Sequence, residues 1–145
     1  MRYIDRTLTS RIRYYLGVDS VSAAYPLSHV ALPELFNPRS HRLDASRIAN
    51  ALRIPVGAVA IAIGRKAEGV RKRPDAESLQ TELGRLYRIW KSMVELYSGD
   101  EANAGIFLNA PNSHLENKTP LEFIRSGELD VLESLLTAMD LRQPI

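Results

Sequence analysis

The sequence predicts an all-α fold, and three observations carry that expectation. No segment alternates apolar and polar residues at period two for more than a few positions. Apolar side chains instead recur at helical spacing, most clearly from Leu79 to Tyr97, and proline, glycine and capping residues divide the chain at helix length. The chain has 145 residues, 45% of them apolar and 25% charged, which is enough for one core of ordinary size.

The elements follow in order. Ile4, Leu8, Ile12, Tyr15 and Leu16 make a short amphipathic helix over 2–17 that ends at Gly17. From Val18 to Arg42 the pattern is broken by Pro26, Pro33 and Pro38, so this stretch reads as loop with a turn or two of helix around Leu27 to Phe36. Asp44 or Ser46 then caps a helix carrying Ile48, Ala49 and Leu52 inward, and Pro55 ends it. A second helix is expected from Val56 to about Ala67. Two short helices about four residues apart read as a helix-turn-helix. Its one departure is Arg53 where glycine commonly eases the turn, which is tolerable if the turn demands no positive φ.

Gly69 to Pro74 reads as a basic connector. Asp75 or Ser78 is then placed to cap the strongest helix, whose stripe is Leu79, Leu83, Leu86, Tyr87, Trp90, Met93, Val94 and Tyr97, with Gly99 terminating it. Asp100 caps a helix through Leu108, and Asn109 to Ser113 make a turn-rich loop. Thr119-Pro120-Leu121-Glu122 is a capping box with proline at the first helical position. That helix stops at Gly127. A last one places Leu129, Leu132, Leu135, Leu136 and Met139 inward, and Pro144 prevents further helix.

Composition excludes several functions. With no cysteine there is no thiol catalysis, Cys-ligated zinc, iron–sulfur cluster or disulfide. His29, His41 and His114 lack partners at i+3 or i+4, so no metal or other cofactor is expected. No phosphate-cradling glycine loop is present, and paired carboxylates such as Glu128 and Asp130 point apart on a helix, so the chain does not read as an enzyme. No apolar run approaches the roughly 20 residues that cross a bilayer, and the first residues lack a signal peptide's apolar stretch; a cytoplasmic protein without a membrane partner is expected. Tyr87, Trp90 and Tyr97 share the Leu79 stripe and read as core rather than as a base-stacking platform.

The net charge of +2 conceals a division. Through Arg73 the chain has thirteen basic and five acidic residues, a net +8; from Pro74 on it has six basic and twelve acidic residues, a net −6. The basic end suits a polyanion and the acidic end a different partner, the alternative being two solvated faces. Arg65, Lys66, Arg71, Lys72 and Arg73 cluster beyond the second helix of the helix-turn-helix and are candidates for DNA phosphate. That helix itself offers no polar side chain to base edges: its outward positions are Gly57, Ala58, Ala60 and Ile61. Ala58 and Ile61 are accordingly candidates for a dimer contact.

From about Leu43 to Met139 the chain resembles the antitoxins of the Xre/MbcA/ParS family, partners of RES-domain toxins. Three pieces carry the resemblance: the degenerate Xre-like helix-turn-helix Ser46 to Gly64, the long helix with the Ala102 to Leu108 helix after it, and a signature. The signature runs Leu108-Asn109-Ala110-Pro111-Asn112, then Lys118-Thr119-Pro120-Leu121-Glu122-Phe123-Ile124, then Gly127 and an apolar helix. Phe107-Leu108 stands where the family shows a tryptophan-leucine pair. The resemblance implies an Xre-like helix-turn-helix domain followed by a small helical toxin-binding domain, divided here as an extension over 1–42, the helix-turn-helix over 43–73 and the toxin-binding part over 74–145. It implies a RES toxin that destroys NAD as partner, with Leu141, Arg142, Gln143, Pro144 and Ile145 as the segment that blocks the toxin. It also implies a homodimer inside a hetero-oligomer that binds operator DNA and autoregulates transcription. A stand-alone helix-turn-helix regulator stays open as the alternative. Asn109, Pro111, Asn112, Thr119 and Pro120 are turn formers and caps, expected to shape the toxin-binding lobe rather than to touch a ligand.

Overall fold

The computed structural model describes residues 30–141, and in that range the chain is helical, with seven α-helices and two isolated β-bridges. The helix expected over 2–17 and the tail Arg142 to Ile145 lie outside the described residues. Contacts divide the chain into a unit over 1–33 and a unit over 34–145, and all seven helices belong to the second.

Of the helix expected around Leu27 to Phe36, the described part is a single 3-10 turn, Pro33–Leu35. A tight loop follows. Asn37 Oδ1 accepts from the N–H groups of Arg39 (2.8 Å) and Ser40 (3.2 Å), and Phe36 pairs with Leu43 across it. Gln80 fastens this loop to the rest of the molecule: its Oε1 accepts from Leu43 N–H (2.8 Å) and its Nε2 donates to Leu43 C=O (3.0 Å).

Helix α1, Ala45–Leu52, is capped by Asp44, whose Oδ1 accepts from the Ser46 and Arg47 N–H groups at 2.9 and 3.3 Å and from the Ser46 hydroxyl. It buries Ile48, Ala49 and Leu52. Its end corrects the sequence reading. Arg53 adopts φ 59°, donating to Asn50 C=O while Ile54 N–H reaches Ala49 C=O, a Schellman close with arginine at the left-handed position. The turn does demand positive φ, and Pro55 serves as the N-cap of the next helix.

Helix α2, Val56–Ala62, is shorter than expected because Gly64 at φ 73° makes a second Schellman close. The supposed connector is a helix, α3, Ala67–Lys72, which buries Val70. Its sequence shows no apolar stripe because Val70 is its only fully buried side chain.

After a 3-10 turn at Glu77–Leu79, helix α4 runs Gln80–Leu96 without a side-chain cap, so neither Asp75 nor Ser78 fills that role. Most of its stripe is core as expected: Leu79, Leu83, Leu86, Trp90, Met93 and Val94 are buried and Ile89 joins them, but Tyr97, expected in the core, is 37% exposed because it lies past the end of α4. Trp90, 2% exposed, is no stacking platform. Tyr87 meets the Phe36 ring edge-on at 5.4 Å, and burial, with the charges of Glu95 and Glu34, pushes its phenol up to about 12. Ser98, at φ 55°, takes the left-handed position after α4, one residue before the expected Gly99.

Helices α5 (Glu101–Asn109), α6 (Pro120–Arg125) and α7 (Leu129–Leu141) complete the unit. The Asp100 cap and the Thr119–Glu122 capping box form as the sequence predicts. Helix α4 packs on α5 and α7, α6 packs on α5 and α7, and α2 packs on α1, α3 and α6. The α2–α6 contact joins the first three helices to the second half in one core. An Arg85–Glu133 pair, two hydrogen bonds of 2.8 and 2.7 Å, ties α4 to α7 at the surface. The Glu133 hydrogen bonds hold the Arg85 guanidinium above its ordinary value, and Arg85 in turn holds the Glu133 carboxyl below its own.

Candidate functional site

Two surfaces stand out: the lobe built by the signature residues, and a basic pocket beside the helix-turn-helix. In the lobe, the polar signature side chains Asn109, Asn112, Thr119 and Glu122 bond the chain's own backbone, while Leu108 and Ile124 are buried. Asn109 Nδ2 donates to Gly105 C=O (2.8 Å), closing the end of α5. Asn112 organises the loop. Its Oδ1 accepts from His114 N–H (2.8 Å), its N–H donates to Lys118 C=O (3.0 Å), and its C=O accepts from Leu115 and Asn117 N–H (2.9 Å each). Glu116 and Asn117 take positive φ, 57° and 63°, so that the chain folds back for Leu115 to be buried.

Thr119 Oγ1 accepts from Glu122 N–H (3.1 Å) while Glu122 Oε2 accepts from Thr119 N–H (3.0 Å), which satisfies the first turn of α6. After α6, Gly127 at φ 80° lies against the end of α2: a Cβ there would sit 3.4 Å from Ile61 C=O. The signature thus fixes the path between α5 and α7 and seats it on α2.

What this framework presents outward is a different set of residues. A pocket of about 440 Å³ opens between the Ser113–Leu115 turn and α7, lined by His114, Leu115, Asp130, Val131, Ser134 and Leu135. The α7 members fall at i, i+1, i+4 and i+5, a spacing visible in the sequence, whereas the approach of His114 depends on the folded loop. Beyond it, Ile106 on α5 is 66% exposed, and Tyr97 and Phe107 stand with ring centroids 6.2 Å apart. Leu141 ends α7 at the start of the tail.

The basic residues separate into two sets. Arg65, Lys66, Lys72 and Arg73 line a pocket of about 380 Å³ between α3 and the approach to α4. Arg65 is held there: its guanidinium donates to Ser78 C=O (2.9 Å) and to the Glu82 carboxylate (3.2 and 3.3 Å). Arg71 lies on the other side, where a Cβ built on Gly57 would meet its Nη2 at 3.0 Å. Sequence spacing does not distinguish these five cations, because α3 carries no apolar stripe to mark which side faces the core.

On α2 the expected contact pair is split. Ile61 is 60% exposed, but Ala58 is 7% exposed and Ala60 fully buried, since α1, α3 and α6 enclose the helix. The outward apolar surface of α2 therefore reduces to Ile61. Its other face, expected to be free for a partner, is covered in part by the chain's own α6.

Among the described residues no three histidine or carboxylate side chains approach closely enough to hold a metal ion, and no helix is long and apolar enough to cross a membrane.

Residues 93–140 match the family model described as the antitoxin Xre/MbcA/ParS C-terminal toxin-binding domain. The match spans the end of α4, α5, the signature loop, α6 and nearly all of α7, and leaves the helix-turn-helix outside it. No curated protein and no solved structure matches the chain.

Proposed function

We propose, from the premise that residues 93–140 are the C-terminal toxin-binding domain of an Xre/MbcA/ParS antitoxin, that this chain binds and inhibits a RES-domain toxin that consumes NAD. The observation that carries the reading is the matched segment itself, in which Asn109, Asn112, Thr119 and Glu122 serve turns and caps, Leu108 and Ile124 are buried, and His114 and Ile106 are left on the outside. The antitoxin contributes no catalytic group. It acts by occupation, in the cytoplasm where the toxin's substrate is found.

The blocking segment is the tail Leu141 to Ile145. An arginine and a carboxylate on a proline-stiffened chain suit a cleft built for a dinucleotide, and proline lowers the ordering cost of entering it. The acidic second half faces the toxin, and the basic first half engages operator DNA, so that the complex regulates its own transcription. The complex is a hetero-oligomer around an antitoxin homodimer, with Ile61 the exposed apolar residue of α2 available to that contact.

Co-expression tests the inhibition. Full-length antitoxin should prevent NAD loss by the RES toxin, and a chain ending at Asp140 should bind the toxin yet leave much of the NAD loss in place. Undiminished protection by the truncated chain would reject the tail as the blocking segment, and absence of any complex would reject the RES partner.

A further inference from the structure

The sequence offers five cations within nine residues, and the fold selects four of them. Lys72 is the last residue of α3, Arg73 follows it, and Arg65 and Lys66, the latter in extended backbone, precede its first residue. All four line one pocket between α3 and the approach to α4. Gly69, within α3, lines the same pocket, and a Cβ added to it meets no atom within 4 Å. The result is a cationic rim around a glycine, which leaves the concavity of about 380 Å³.

The fourth wall is fixed rather than mobile. Glu82 and the Ser78 carbonyl anchor Arg65 from the α4 side, leaving Lys66, Lys72 and Arg73 without an ion pair among those found in the described residues. Beside this pocket, α2 has no polar side chain for base edges and is packed by three helices. Nucleic-acid affinity in this region has to come from the backbone charge.

We propose that this pocket seats the phosphodiester backbone of duplex DNA, with Lys66, Lys72 and Arg73 contacting phosphate, Arg65 held in place by Glu82, and Arg71 taking no part. The inference rests on the reading that the basic half binds DNA, and adds where and through which groups. It makes binding sequence-tolerant and steeply dependent on salt.

The test measures affinity of the full chain for a mixed-sequence duplex of about 20 base pairs across a salt series, with far-UV circular dichroism to verify folding. Each phosphate contact contributes close to one unit of the log–log salt slope. K72A/R73A should therefore weaken binding about tenfold near 0.1 M salt and flatten the slope by about two. Gly69→Asp, which places a carboxylate in open space inside the rim, should weaken binding at least as much, while Arg71→Ala keeps the wild-type slope. Wild-type affinity in Gly69→Asp, or equal flattening by Arg71→Ala, overturns the pocket and leaves DNA binding intact. Displacement of the duplex by poly-glutamate at equal charge concentration would make the seat one for acidic protein and also overturn it. Failure of the wild-type chain to bind duplex at low salt overturns both the pocket and the DNA reading beneath it.

Discussion

Arg53 ends α1 in a conformation that costs an L-residue roughly 1–2 kcal/mol, and Gly64 ends α2 in the same conformation without that cost. The pair makes a matched experiment. Arg53→Gly should stabilise the protein by on the order of 0.5–1 kcal/mol, the relief of strain exceeding the extra freedom glycine gives the unfolded chain. Gly64→Ala should destabilise by about 1 kcal/mol through φ alone, since no atom lies within 4 Å of the added Cβ. Urea midpoints that shift in opposite directions at unchanged slope would establish the account, and equal shifts would refute it. Asp44 supplies the pH dependence at this scale. Burial raises its carboxyl, but hydrogen bonds from Ser46, Asn37 and the Arg47 N–H outweigh it, so the folded value lies below the ordinary one. A depressed carboxyl contributes stability above its unfolded pKa and loses it as pH falls through the folded pKa. Asp44→Ala should therefore cost about 1–2 kcal/mol at pH 7, and the gap between variant and wild type should shrink as acid is added below about pH 4. A gap constant with pH would show that the carboxylate charge contributes nothing.

At the scale of elements, the helices that announce themselves are those with a cap or a stripe. Thr119 shows how local that information is: its hydroxyl and the Glu122 carboxylate satisfy each other's backbone N–H within four residues. Thr119→Ala should lower stability by about 1 kcal/mol, read as an earlier urea midpoint, while Thr119→Ser should retain most of it; equal losses in the two variants would place the effect in the methyl group instead. The α4 stripe is legible for a similar reason, since one apolar face at helical period is all it needs. Ile89 falls beside that stripe and is buried anyway, because α5 and α7 both pack on α4 and widen the covered face. Helix α3 is illegible for the opposite reason: Val70 is its one buried residue, Ala67 is half-buried and the other four are exposed, so no periodicity survives. The site follows the same division. The signature loop could be read from its turn and capping residues. The sorting of Arg71 from Lys72 and Arg73, and the pairing of Arg65 with Glu82, depend on where α3 sits and could not.

Across the whole unit 34–145, the basic and acidic halves that the charge count separates are bound into one core. Gln80 holds Leu43, Glu82 holds Arg65 and Tyr87 meets Phe36, and the helix-to-helix part of the joint is α2 against α6, with Gly127 letting the chain pass beside Ile61 C=O on its way to α7. The lobe of α5, α6 and α7 shares its packing with the first half, since α6 packs on α2 as well as on α5 and α7. The unit should then unfold as one cooperative piece. Gly127→Ala tests this from the joint outward. Its positive φ of 80° costs alanine about 1–2 kcal/mol, and the 3.4 Å approach to Ile61 C=O leaves little room to relax. Hydrogen exchange supplies the readout, because amides that exchange only through global opening all report the same loss. The slowest amides of α1 and α2 should accelerate by about the same factor as those of α4 and α7, on the order of tenfold, although Gly127 belongs to neither group. Acceleration confined to α6 and α7, with α1 and α2 protected as in the wild type, would show that the lobe opens alone and that the two halves do not sense each other.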